Sequence, residues 1–177
     1  MYRIATGIFI SFAHHVRGHS GPCISLHGHT WKFEVALCAS ELDGEGFVVD
    51  FSQLRKNVLM PCHALLDHSL AMGEDTWAKN KDFLAPIGAD LVGSRMDKMG
   101  GGEAQNALVG ELCGARNEFP GGIKVAVFPF NPTSERLAEW LYSVASANLE
   151  DGRVKVAAAR VFESLHPVES VAEYVRG

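Results

Sequence analysis

From His27 to Leu37 the chain alternates with period two. His27, His29, Trp31, Phe33, Val35 and Leu37 take one parity; Gly28, Thr30, Lys32, Glu34 and Ala36 take the other. Strand side chains point to opposite faces in turn, so the pattern predicts a half-buried β-strand and commits the chain to a sheet. Two neutral imidazoles, His27 and His29, then share one rigid face, an arrangement that binds a first-row metal, zinc above all. Cys23 stands four residues upstream of His27, close enough to a metal-bound substrate to act as base or nucleophile. The plainer reading is that the histidines fill surface and Cys23 is a small buried hydrophobe.

Other stretches extend the pattern. In residues 4–16, Ile4, Ile8, Ile10, Phe12 and His14 share a parity, which predicts a first strand ending in His14. Residues 15–25 carry Gly18, Gly21 and Pro22 and read as a mobile loop. After residue 39, a turn at Asp43-Gly44-Glu45-Gly46 and the return Phe47-Val48-Val49 form a possible hairpin. Asp50 reads as a helix N-cap, with Gln53 completing a capping-box variant. Leu54, Val58, Cys62 and Leu65 give that helix a core face, and Pro61 must kink or divide it. Residues 123–130 are rich in β-formers. A helix capped by Asn131 or Thr133 follows, with Leu137, Trp140, Leu141, Val144 and Ala145 as its apolar stripe. Strands at 153–163 and 170–175 close the chain. Strand, strand, helix, helix, strand, strand makes an α+β fold with helices on one side of an antiparallel sheet.

At 177 residues, 47% of them hydrophobic, the chain is read as one domain, 1–177, with an ordinary core. Residues 74–122 contain Gly100-Gly101-Gly102 and Gly121-Gly122 flanking two possible short helices. They read as an insertion, either a lid or a disordered excursion, with the lid favoured because a site nearby gains from excluding water. A net charge of −5 without Lys/Arg runs argues against nucleic-acid and membrane-surface partners. Residues 8–13 are too short and too poorly flanked for a membrane span or cleaved signal. The four scattered cysteines read as reduced thiols of a cytoplasmic protein.

A catalytic zinc takes three protein ligands and keeps a fourth position open. Beyond His27 and His29 the candidates are His14, His15, His19, His63, His68 and His166, and parity favours His14. Asp67 beside His68 is the pairing of a proton relay, or simply a solvated helix end. Glu163 is a charge near the end of an apolar strand. Glu135 is an acid in a helix's first turn, which needs no further role.

Taken in order, several blocks resemble the 6-pyruvoyltetrahydropterin synthase / 6-carboxytetrahydropterin synthase family: Ile10-Ser11-Phe12-Ala13-His14, Cys23 followed by His27-Gly28-His29, Val49-Asp50-Phe51, Leu66-Asp67-His68, Pro132-Thr133-Ser134-Glu135 and Phe162-Glu163-Ser164. The likeness covers residues 4–73 and 123–177. It implies the tunnelling fold, a four-stranded antiparallel sheet with two helices on one face, pooled between subunits into a barrel, commonly a hexamer. It implies zinc on His14, His27 and His29 and a substrate, 7,8-dihydroneopterin triphosphate, that loses triphosphate and acetaldehyde to give the 6-carboxy product of the queuosine route. Cys23 would be the thiolate base, its pKa lowered by nearby positive charge. Asp67-His68 of a neighbouring subunit would relay the second proton. Glu163 would hold the pterin's amino-pyrimidine edge, with Thr133 and Glu135 also at the substrate. Three residues between Cys23 and His27 is the spacing of the 6-carboxy branch; the 6-pyruvoyl branch has more. Phe12, His15, Leu70-Ala71 and residues 74–122 depart from the family pattern.

Two other classes compete. A cupin-like metal protein would use Glu34, which has the wrong strand parity. A non-catalytic zinc or pterin-binding protein would have no use for Cys23 or Asp67-His68.

Overall fold

The structure, a computed structural model, describes residues 1–93 and 110–177. Its elements in chain order are β1 (Tyr2–His14), a 3-10 turn (Pro22–Ile24), β2 (His27–Ala39), α1 (Phe51–Leu54), a π-helical segment (Arg55–Leu59), α2 (Met60–Leu66), β3 (Leu70–Gly73), α3 (Glu74–Val92), β4 (Arg116–Glu118), a second 3-10 turn (Pro120–Gly122), β5 (Val125–Phe128), α4 (Ser134–Leu149), β6 (Val154–Ser164) and β7 (Ser170–Tyr174). They form two compact units. One comprises Met1–Ser11, His29–His63 and Thr133–Gly177, the other Phe12–Gly28 and Ala64–Pro132.

In the first unit the strand order is β1-β2-β6-β7. β2 and β6 are antiparallel from Lys32↔Phe162 to Ala39↔Val154, with a bulge between Ala36 and Leu37, and β6 pairs antiparallel with β7. Ile10, Trp31, Phe33, Val35 and Leu37 are buried as the alternation predicts. α4 covers β6 and β7: Leu137, Trp140, Leu141, Val144 and Ala145 are buried, and the Tyr142 hydroxyl donates to the Val156 carbonyl at 3.2 Å. Thr133 is the N-cap, its hydroxyl accepting from the Arg136 N–H.

The opposite face of that sheet is polar and open. Lys32 and Arg160 both donate to Glu34 at 2.8 Å, and Arg160 also pairs with Glu173. Burial alone would raise the Glu34 pKa, but hydrogen bonds from Lys32 and Arg160 outweigh it and hold the carboxyl below its ordinary value. Glu34 is thus engaged on the face away from His27 and His29, which removes the ligand the cupin-like reading needs.

Two local expectations change. Phe47-Val48-Val49 forms no strand, because the Asp43 carboxylate closes the turn on the Glu45 and Phe47 N–H groups while Arg153 holds the Phe47 and Val48 carbonyls. Pro61 is the second residue of α2, where the chain leaves a π-helical segment. The turn before it is widened, the Met60 N–H reaching five residues back to the Arg55 carbonyl. Asp50 does cap this helix, accepting from the Ser52 N–H at 2.6 Å.

In the second unit the order is β4-β5-β3-β1. β1 pairs parallel with β3 through Ala13↔Leu70 and His14↔Ala71, β3 parallel with β5, and β4 antiparallel with β5. Seven strands therefore replace the expected four-stranded antiparallel sheet. Of the three added strands, β3 and β5 are short apolar runs, as parallel strands are, and show no alternation, while β4 is a three-residue polar strand at the sheet's edge. Met72, Trp77, Val125 and Val127 are the buried core here.

Residues 74–92, expected to be irregular, are one 19-residue helix. It docks on the second 3-10 turn by backbone: a Cβ on Gly88 would lie 2.2 Å from the Pro120 carbonyl oxygen, and one on Gly121 2.1 Å from that of Ala85. The Gly100-Gly101-Gly102 stretch, and with it the question of a lid, lies outside the described residues. No helix among them is long and apolar enough to cross a membrane.

Candidate metal centre and cleft

In the second unit β1 ends at His14, which is 1% exposed, and β2 begins at His27. His14 Nδ1 lies 2.9 Å from the Pro132 carbonyl oxygen, and His27 Nδ1 lies 2.8 Å from that of Ser25. A carbonyl only accepts, so each Nδ1 carries the proton. With the Nδ1 protons so placed, both Nε2 atoms are of the type that ligates a metal, and the two lie 3.2 Å apart. Zinc–nitrogen bonds of about 2.05 Å in a tetrahedron would separate two ligand nitrogens by about 3.3 Å. The donor set and spacing therefore fit zinc, and the carbonyls supply the outer support that orients metal-bound histidines.

In the first unit His29 stands on the same face of β2 as buried Trp31, whose ring meets it edge-on at 5.4 Å. The Glu163 Oε1 lies 3.7 Å from His29 Nε2, beyond hydrogen-bond range, while its Oε2 accepts from the Ser134 hydroxyl at 3.0 Å. These groups border a cleft of about 320 Å³ lined by His29, Thr30, Glu163, Ser164, Leu165 and His166. Glu163 therefore addresses a cavity large enough for a small ligand.

Asp67 and His68 meet as the sequence suggests. The His68 Nδ1–H donates to Asp67 Oδ2 at 2.8 Å, which fixes the tautomer and leaves Nε2 free for proton exchange. The His68 side chain is 85% exposed, and its φ of 56° is left-handed. That backbone costs about 1 kcal/mol or more in a residue with a Cβ.

The other candidates lie elsewhere. Cys23 sits half-buried in the first 3-10 turn, its carbonyl accepting from the Val16 N–H. Thr133 spends its hydroxyl on the cap, and Glu135 is exposed. Burial, then His14 and Arg17, push the His15 imidazole below its ordinary pKa, and His19 Nδ1 accepts from the Gly21 N–H. Ser134 and the carbonyls of Ser25 and Pro132 were not foreseen. The only signal for Pro132 and Ser134 was their place in the Pro132–Glu135 block.

A model of the 6-pyruvoyl tetrahydropterin synthase family matches residues 3–175. The chain is 31% identical over 86 residues to a 6-carboxy-5,6,7,8-tetrahydropterin synthase of Bacillus subtilis (strain 168), covering 48% of this chain and 56% of that protein. It is 28% identical over 156 residues to the protein of the same name from Aquifex aeolicus, covering 86% and 75%. The match thus spans little more than half the length of the Bacillus relative. Among solved structures, an uncharacterized protein from Wolinella succinogenes superposes with a TM-score of 0.63 at 22% identity, over 99% of this chain and 98% of that one. A 6-pyruvoyl tetrahydropterin synthase from Caenorhabditis elegans gives 0.56 at 13%, over 99% and 96%. At these identities the structures show a shared fold, and the family match, running almost from end to end, shows more: this chain belongs to the 6-pyruvoyl tetrahydropterin synthase family.

Proposed function

We propose that the chain is a zinc-dependent lyase acting on 7,8-dihydroneopterin triphosphate, with the 6-carboxy-tetrahydropterin as product and 7-deazapurine (queuosine) synthesis as its route. The observation that carries this reading is the facing pair of Nε2 atoms on His14 and His27, 3.2 Å apart with both Nδ1 protons committed to carbonyls. His29 shares its strand parity with His27, and we assign it as the third ligand. When bound, zinc acts as a Lewis acid toward the substrate's side-chain oxygens and acidifies the neighbouring C–H. Glu163 accepts from the amino-pyrimidine edge, and the Ser134 hydroxyl donates to its Oε2. Thr133 and Glu135 flank the substrate from the start of α4. The Cys23 thiolate removes a proton, and His68, oriented by Asp67, relays the second.

The three-residue gap after Cys23 and the relatives named 6-carboxy-5,6,7,8-tetrahydropterin synthase support the 6-carboxy product over the 6-pyruvoyl one. We assign residues 74–122 to an insertion in one such domain, and the whole to a homo-oligomer, a hexamer, of the cytoplasm. The open face of the first unit supports assembly: Phe9 and Val171, 56% and 49% exposed, accompany the Lys32-Glu34-Arg160-Glu173 ion pairs there.

Mass analysis of products from the zinc-loaded protein and dihydroneopterin triphosphate tests the reading. A 6-carboxy product with acetaldehyde supports it, and a 6-pyruvoyl product moves it to the other branch. Cys23→Ala should keep zinc and lose about a hundredfold in rate. Unchanged turnover in that variant would remove Cys23 as the base.

A further inference from the structure

We infer that Lys124 and Asn117 are positioning residues for the Asp67–His68 pair, acting through main-chain carbonyls at the end of α2. The inference rests on the reading of that pair as a proton relay. The carbonyls of a helix's last turn have no partners within the helix. Here the Lys124 ammonium donates to the Ala64 and Asp67 carbonyls at 2.6 and 2.9 Å. The Asn117 amide donates to the Leu65 carbonyl at 2.8 Å, and the Ser69 N–H to that of Leu66 at 2.9 Å. Four consecutive carbonyls, from Ala64 to Asp67, are held in this way. A cation at the negative end of a helix is also electrostatically favourable.

Lys124 grips the chain on both sides of His68. Its ammonium holds the Asp67 carbonyl, and its own carbonyl accepts from the Leu70 N–H at 3.0 Å. Between them the Ser69 carbonyl accepts from the Ala13 N–H at 3.0 Å, next to His14. The left-handed backbone of His68 is therefore clamped at Asp67, Ser69 and Leu70. Asn117 lies on β4 opposite Ala126, and Lys124 directly precedes β5, so both donors sit on sheet rather than loose loop. A relay needs its imidazole within a fraction of an ångström of the reacting proton, and a misplacement of about 1 Å costs up to about a hundredfold.

The test uses the full-length zinc-loaded protein with dihydroneopterin triphosphate, comparing Lys124→Met and Asn117→Leu with His68→Gln. The expected result is kcat reduced about tenfold in each of the first two, with KM and zinc content near those of the parent. Lys124→Met in the His68→Gln background should add no further loss, because the lysine acts only through the histidine. Lys124→Gln, which keeps an amide donor, should recover part of kcat and serves where the methionine variant does not fold. Amide hydrogen exchange at Ser69 reads the corner without catalysis and should accelerate in the lysine variants. Unchanged Ser69 exchange, an unchanged kcat beside an impaired His68→Gln, or an additive loss in the double variant would each overturn the inference. Full activity in His68→Gln with faster Ser69 exchange in Lys124→Met would overturn the relay reading and leave the clamp standing.

Discussion

Each histidine proposed as a zinc ligand has its own surroundings, so single substitutions should separate them. His29→Ala should lose most bound zinc by elemental analysis, while His15→Ala and His19→Ala keep it. Full occupancy in His29→Ala would refute the ligand assignment. Glu163→Gln keeps the shape but replaces one carboxylate oxygen by an amide. It should retain zinc and raise KM about tenfold or more, since a charge-assisted pair to the ligand is lost. Zinc loss in that variant would make Glu163 a metal ligand, a result its 3.7 Å approach to His29 makes worth measuring. At this scale the sequence was readable where local rules suffice. Strand parity placed His14, His27 and His29 on core faces, and adjacency joined Asp67 to His68. It was silent where partners are remote: the Pro132 carbonyl that fixes the His14 tautomer is 118 residues away, and Lys124 reaches back 60 residues to Ala64.

At the scale of elements, legibility followed periodicity. β1, β2, β6 and α4 each have one wet and one dry side, and their spacing shows it. β3 and β5 are buried runs of four residues without alternation. α3 was hidden for another reason. Pro86 and Gly88 are poor helix formers, and Phe83, Ile87 and Leu91 recur at helical spacing yet are exposed. Gly88 is there for contact, not flexibility. Gly88→Ala would gain about 1 kcal/mol of helix propensity in open solvent. Against the Pro120 carbonyl it should instead destabilise by about 1–3 kcal/mol in urea titration, as overpacking does. Gly44→Ala, where an added Cβ meets nothing within 4 Å, is the control and should change little.

For the whole molecule the acid limb of stability is informative. Glu34 has its folded pKa held below 4.5, so the unfolded chain protonates there first as pH falls. Its contribution is present above about pH 4.5 and disappears as pH drops through the lower folded value. Glu34→Gln should therefore cost about 1 kcal/mol at pH 7 and progressively less toward pH 3, in urea titrations at the two pH values. A difference that grew in acid would contradict the sign. Because Glu34 lies on the open sheet face, light scattering on the same samples shows whether subunits stay together. A monomer at every concentration would refute the proposed assembly.

Three successive residues at the entry to α4 each secure a different group. The Pro132 carbonyl holds His14, the Thr133 hydroxyl caps the helix, and the Ser134 hydroxyl holds Glu163. Their roles depend on counting as much as on chemistry. One added residue lengthens an extended chain by about 3.5 Å, more than a hydrogen bond spans. This stretch should then tolerate a change of letter at exposed Glu135 far better than any change of length. Among natural relatives and in insertion libraries alike, the step from the Thr133 cap to Ser134 should behave as a ruler.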